Sequence, residues 1–108
     1  IKLRGRSSFQ SPAYNAVKMI EAAMGGEKFT LPAGCYVNCD KCGFKNVMMA
    51  MPSTIDKTGV HFTEPAGTEE EMASLAKSYE HLCKMRDEIV ELGIVPAVEK
   101  WNELNPNL

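Results

Sequence analysis

In "CYVNCDKC" three cysteines, Cys35, Cys39 and Cys42, fall at C-x3-C-x2-C, and a fourth, Cys83, lies further along. That spacing is the one by which radical-SAM enzymes hold a 4Fe–4S cluster. Such sites sit in a partial β/α barrel roughly twice this long, and no β-α-β-α alternation is legible here. A structural zinc site fits better, because Cys39-x2-Cys42 has ligand spacing and Cys35 and Cys83 would complete a four-cysteine shell. Zinc ribbons, however, use two closely spaced pairs, and the second pair is missing. A redox-active Cys39–Cys42 pair lacks the thioredoxin-like βαβ context. Cys35 alternates with Val37 as a core strand residue would, and Cys83 lies on the apolar face of a helix, where a free cysteine packs as a small hydrophobe. The expectation is therefore reduced thiols and no metal site, with oxidation of Cys39 and Cys42 to a disulfide left open and a four-cysteine zinc module or a structural interaction domain as the alternative function.

The two histidines offer little. His61 follows a turn signal in an expected strand and reads as a solvated surface residue. His81 is two residues from Cys83, and residues two apart do not share a helix face. No G-x-S-x-G, P-loop, H-E-x-x-H or G-x-G-x-x-G occurs. "SSFQSPA" is more informative: Ser7, Ser8 and Ser11 gather where a helix begins, and free N–H groups there favour an anion such as a carboxylate. The same serines are equally well explained as caps and turn residues.

The elements that must position these residues follow from periodicity. A helix is expected from Ser11 as N-cap, with Pro12 in the first helical position and Ala13, Ala16, Val17, Ile20, Ala23 and Met24 as its apolar stripe; Gly25-Gly26 ends it. "KFTLPAGCYVN" and "FKNVMMAMPSTI" read as strands, "DKTG" as a turn and "VHFTEP" as a third strand. From Thr68, a capping box with Glu71 opens a long helix carrying Met72, Leu75, Ala76, Tyr79, Leu82, Cys83, Ile89 and Val90 on one face. Gly93 breaks it, and Pro96 opens a short last helix anchored by Trp101. The expected fold is α+β, a small twisted antiparallel sheet packed against an N-terminal helix and a long C-terminal helix.

Composition bounds the class. Across 108 residues, 44% are hydrophobic and 24% charged, which supports one domain with a real core rather than disorder. A net charge of −2 leaves no basic footprint, so no nucleic-acid or anionic-membrane partner is expected. No apolar run approaches the roughly 20 residues of a membrane span, and no signal peptide is legible. Seven methionines and sparse cysteines point to a reducing cytoplasm. The opening "IKLRGRSS" reads as the continuation of a longer chain.

In succession, "KLRGRSSFQSPAYNAVKMIEAAM", "LPAGCYV", "CGFKNVMMAMPSTIDKTGVHFTEP" and "TEEEMASLAKSYEHL" resemble the C-terminal part of the lactate/malate dehydrogenase family, nearest its malate branch, over residues 2 to 92. The resemblance implies an NAD-dependent oxidoreductase of the tricarboxylic acid cycle that interconverts malate and oxaloacetate, a homo-oligomer in which residues 1–108 form the C-terminal substrate-binding domain. It puts the Rossmann domain, the catalytic His–Asp pair and the substrate-clamping arginines before Ile1, so no catalytic residue is expected in this chain. By position in "RSSFQSPA", it makes Ser7 a pocket hydroxyl that binds substrate and places Ser11 beside the nicotinamide of NAD. "YVNCDKCGF" departs from the family's shorter loop, and the tail from Gly93 to Leu108 is longer than is typical.

Overall fold

The computed structural model describes residues 2–3, 5 and 8–108. The order is α1 (Gln10–Ala23), β1 (Ala33–Cys39), β2 (Phe44–Met51), β3 (Ser53–Asp56), β4 (Gly59–Phe62), α2 (Glu69–Glu91), a 3-10 turn (Val98–Lys100) and α3 (Trp101–Leu104). The fold is α+β, as expected. The strands do not form one meander, however: β1 pairs with β2 and β3 with β4, both antiparallel, as separate two-stranded sheets. The break falls at Pro52, which splits the expected strand 44–55. Proline has no N–H to give a ladder, so a central strand cannot run through it. The chain correspondingly divides into two compact units, Ile1–Pro32 with Pro52–Thr63, and Ala33–Met51 with Glu64–Leu108.

In the first unit, α1 packs on β3. The helix begins one residue before the expected cap: Phe9 occupies the N-cap without a side-chain cap bond, and Ser11 and Pro12 are the second and third helical residues. The start is still compatible with Pro12, because the first turn's N–H groups have no partner inside the helix. At the other end, the Gly26 N–H donates to the Glu21 carbonyl at 2.8 Å and the Gly25 N–H to Ala22 at 3.1 Å, with Gly25 at φ 93°. This Schellman ending needs glycine at the left-handed position. The expected apolar stripe is not what the unit buries. Val17, Ile20 and Met24 are 53, 62 and 84% exposed, whereas Ala22 is buried and Asn15, Lys18 and Met19 are half-buried. The core of this unit is Ala22, Phe29, Ser53 and Ile55. Phe29 and Ile55 exchange backbone hydrogen bonds at 3.1 and 2.8 Å. "DKTG" forms the β3–β4 turn, with Asp56 paired to Gly59.

The second unit is the β1–β2 hairpin with α2 laid on β2. Ala33, Cys35 and Val37 on β1 and Val47, Met49 and Met51 on β2 alternate inward. The ladder slips once: Val37 faces Val47 but Asn38 faces Lys45, leaving Asn46 as an extra residue at φ 56°. An inserted residue reverses the alternation, which is why Phe44 and Val47, three apart, are both buried. Asparagine is among the few residues that tolerate the left-handed region.

Helix α2 opens on the expected capping box. Thr68 Oγ1 accepts from the Glu71 N–H at 3.3 Å, and Glu71 Oε2 accepts from the Thr68 N–H at 2.8 Å. Such a cap contributes about 1 kcal/mol. Gly93, at φ 70°, closes the helix in a second Schellman ending, with the Ile94 N–H on the Ile89 carbonyl at 3.1 Å. No α2 residue is fully buried; the half-buried line is Met72, Leu75, Ala76, Tyr79, Leu82, Cys83, Arg86 and Val90. Among the described residues no helix is long and apolar enough to cross a membrane.

Candidate functional site

Ser7 lies outside the described residues. Ser11 is exposed in the first turn of α1. Because Pro12 carries no N–H and the Ala13 N–H is taken by the Phe9 carbonyl at 3.1 Å, the donors of this turn without a partner among the described residues are the amides of Gln10 and Ser11. Ser11, Tyr14, Asn15 and Lys18 recur at helical spacing on one side of α1. The last three line a shallow hollow of about 220 Å³ with Lys28, Phe29 and Thr30. Of its two lysines, Lys18 is already engaged: Lys18 Nζ lies 3.1 Å from Glu21 Oε2 and 5.6 Å from the centre of the Tyr14 ring. The Glu21 hydrogen bond, and then its charge, raise the Lys18 ammonium above its ordinary value. Such a hollow, lined also by Glu27, can hold a polar fragment.

A carboxylate and an imidazole do meet elsewhere in the same unit. Asp56 Oδ1 accepts from the Thr58 N–H at 2.8 Å and from the Thr58 hydroxyl, which also lies 2.8 Å from His61 Nε2. Asp56 Oδ1 is 3.6 Å from that nitrogen. The Thr58 hydroxyl, then its amide, hold the Asp56 carboxyl below its usual range. These bonds close the two-residue turn as an Asx turn does, so the cluster secures the β3–β4 hairpin. The sequence signal was "DKTGVH", where a turn-type aspartate precedes the histidine by five positions. His61 is exposed, as expected.

In the second unit the bulge is the best-organised polar feature. Arg86 Nη1 donates to the carbonyls of Lys45 and Asn46 at 3.3 and 3.1 Å, and the Tyr36 hydroxyl donates to Asn46 Oδ1. The Lys45 N–H donates to the Tyr79 hydroxyl at 3.2 Å, and the Phe44 and Tyr79 rings lie 4.8 Å apart. The neighbouring Cys83 thiol is the leading cause raising the Tyr79 phenol. Trp101 Nε1 donates to the Pro96 carbonyl at 2.8 Å, and its ring lies 6.4 Å from that of Tyr36. Sequence reading missed this cluster, because Asn46 looks like an ordinary strand residue until the register slip is known.

The four cysteines are not gathered into one shell, and among the described residues no three histidine, cysteine or acidic side chains are grouped to hold a metal. Cys39 and Cys42 are instead joined as a disulfide with Cα atoms 5.6 Å apart, the oxidised alternative left open for this pair. The β1–β2 hairpin turn brings the two within bridging range. Cys35 is a buried thiol outside any disulfide, donating to the Ala33 carbonyl at 3.3 Å, and Cys83 is a thiol on α2.

No family model matches the chain. A malate dehydrogenase from Geobacillus kaustophilus (strain HTA426) is 33% identical to it over 75 residues, which are 68% of this chain and 24% of that enzyme. The chain is thus a distant, partial relative of that dehydrogenase and spans about a quarter of the length of the curated relative it matches.

Proposed function

We propose that residues 1–108 are the C-terminal, substrate-side domain of an NAD-dependent malate dehydrogenase-like enzyme, preceded in the complete polypeptide by a dinucleotide-binding domain. The observation that carries this reading is the 33% identity with the malate dehydrogenase. The order of a helix, a run of antiparallel strands and a long helix (α1-β1-β2-β3-β4-α2), which the family resemblance also implies, is consistent with it. A second support is the apolar stripe of α1: Val17, Ile20 and Met24 are largely exposed in this chain. An amphipathic helix normally buries such a stripe, so a further domain or a second copy is needed to cover it. In this reading the enzyme is a homo-oligomer of the cytoplasm.

The residues in hand do not make a dinucleotide site. The sequence has no glycine-rich phosphate loop. The first turn of α1 offers only the Gln10 and Ser11 amides and the Ser11 hydroxyl, enough to meet one end of such a cofactor. No hydride step is therefore assigned to this chain. Its part in the reaction is positional: Ser7 offers a hydroxyl to the malate or oxaloacetate carboxylate, and Ser11 packs beside the nicotinamide ring of NAD held by the other domain. The positive end of α1 favours an anion between them.

Two measurements test this. The isolated chain is expected to show no malate-dependent NADH formation, and activity in it would overturn the reading. In the complete enzyme, Ser7→Ala removes one pocket hydrogen bond and lowers kcat/KM by roughly fivefold, about 1 kcal/mol. An unchanged kcat/KM would remove Ser7 from the pocket.

A further inference from the structure

We propose that Cys39 and Cys42 form a reversible thiol–disulfide exchange site, opened and re-formed by low-molecular-weight thiols such as glutathione while the hairpin around it stays folded. The inference rests on the turn's geometry and is independent of the dehydrogenase reading.

Two features make the pair an exchange site rather than a structural brace. The first is how little of the fold depends on the bond. The Gly43 N–H donates to the Cys39 carbonyl at 3.1 Å, Gly43 takes a left-handed φ of 73°, and Cys39 pairs across the ladder with Phe44. The ion pair between Asp40 and Lys45 spans the same turn. The disulfide ring encloses only Asp40 and Lys41, and a cross-link restricts the unfolded chain less the shorter its loop. The turn therefore keeps its shape when the sulfurs part.

The second is the setting of the sulfurs. Both cysteines are half-exposed on a hairpin turn. The Cys42 N–H points at Cys39 Sγ at 3.3 Å. A backbone donor aimed at a sulfur stabilises its thiolate. Cys39 is thus the better leaving group, and Cys42 the sulfur to be attacked.

The exchange balances as follows. A glutathione thiolate attacks Cys42 Sγ; the S–S bond breaks and its electron pair leaves on Cys39 Sγ. A second glutathione thiolate attacks the glutathione sulfur of the mixed disulfide and releases the Cys42 thiolate. Two glutathiones are oxidised to one glutathione disulfide, and the cysteine pair takes up two electrons and two protons. Re-oxidation is the reverse. The other thiols stand apart: Cys35 is buried in β1, and Cys83 lies on α2 beside Tyr79.

The test equilibrates the chain in glutathione buffers of graded redox ratio, quenches with acid, alkylates under denaturing conditions and counts labels by mass. The expected result is two labels at the oxidising end and four at the reducing end. One midpoint should connect them, with the additional labels on Cys39 and Cys42 and the far-ultraviolet circular dichroism unchanged throughout. The Cys39→Ser/Cys42→Ser variant should keep that spectrum and show two labels at every ratio. Four labels at every ratio, a glutathione adduct persisting in place of the ring, or reduction accompanied by loss of the folded spectrum would each overturn the proposal.

Discussion

Truncating Met51 to alanine lowers the free energy of unfolding by about 2–5 kcal/mol, the range for deleting a large side chain from a closed core. Met51 ends β2 and is 1% exposed, one of the two largest fully buried side chains with Val37. Across the ladder it faces Ala33, whose methyl group is too small to refill the space. A domain of this size has only about 5–15 kcal/mol to lose, so the substitution is expected to consume a large share of its stability. Equilibrium urea unfolding followed by circular dichroism measures it. Met51→Leu, which keeps the volume, should lose less than about 1.5 kcal/mol. If alanine and leucine behave alike, Met51 does not sit in a packed core.

The second large effect is at the bulge. Arg86→Met keeps much of the apolar stem but withdraws the donor shared by the Lys45 and Asn46 carbonyls, at a cost of about 1–3 kcal/mol. Lysine should not rescue it, because one flexible ammonium cannot reproduce a rigid guanidinium fork. The side chain's other partner, Asp87 at 2.8 Å, is 61% exposed, and a surface pair of that kind is worth at most about 1 kcal/mol. Asp87→Asn should therefore barely move the unfolding midpoint. Amide hydrogen exchange at 45–47 should accelerate in Arg86→Met and not in Asp87→Asn; equal acceleration in both would mean the ion pair, not the bulge carbonyls, anchors α2.

Local signals were read well and packing was not. Thr68 with Glu71, Gly25-Gly26, Gly93 and "DKTG" each act through hydrogen bonds within about six residues, so their partners are fixed by sequence distance. Pro52 carried its message too, yet the apolar run around it reads as one strand, and only the pairing shows two hairpins. For the candidate site, the resemblance singled out Ser7 and Ser11, but the described residues reach only Ser11, at the start of α1. The Asp56–Thr58–His61 cluster was half legible: the turn was evident, but the approach of the histidine depends on the hairpin register.

By itself the sequence determined the element types, the caps that begin and end α2, the glycine ending of α1, the turns and the kinship with a dehydrogenase segment. Each of those depends on neighbours in the chain or on the order of residues. The tertiary structure alone decided which side of α1 is buried, where β2 takes in an extra residue, and which two of four cysteines join. Burial of a helix face depends on what is presented to it, and α1's most apolar line is exposed here while Ala22 packs inside. The bulge at Asn46 is a property of two strands aligned together, invisible in either one. The disulfide follows from the 5.6 Å approach of Cys39 and Cys42 across a turn whose shape is set by the hairpin pairing and by Gly43.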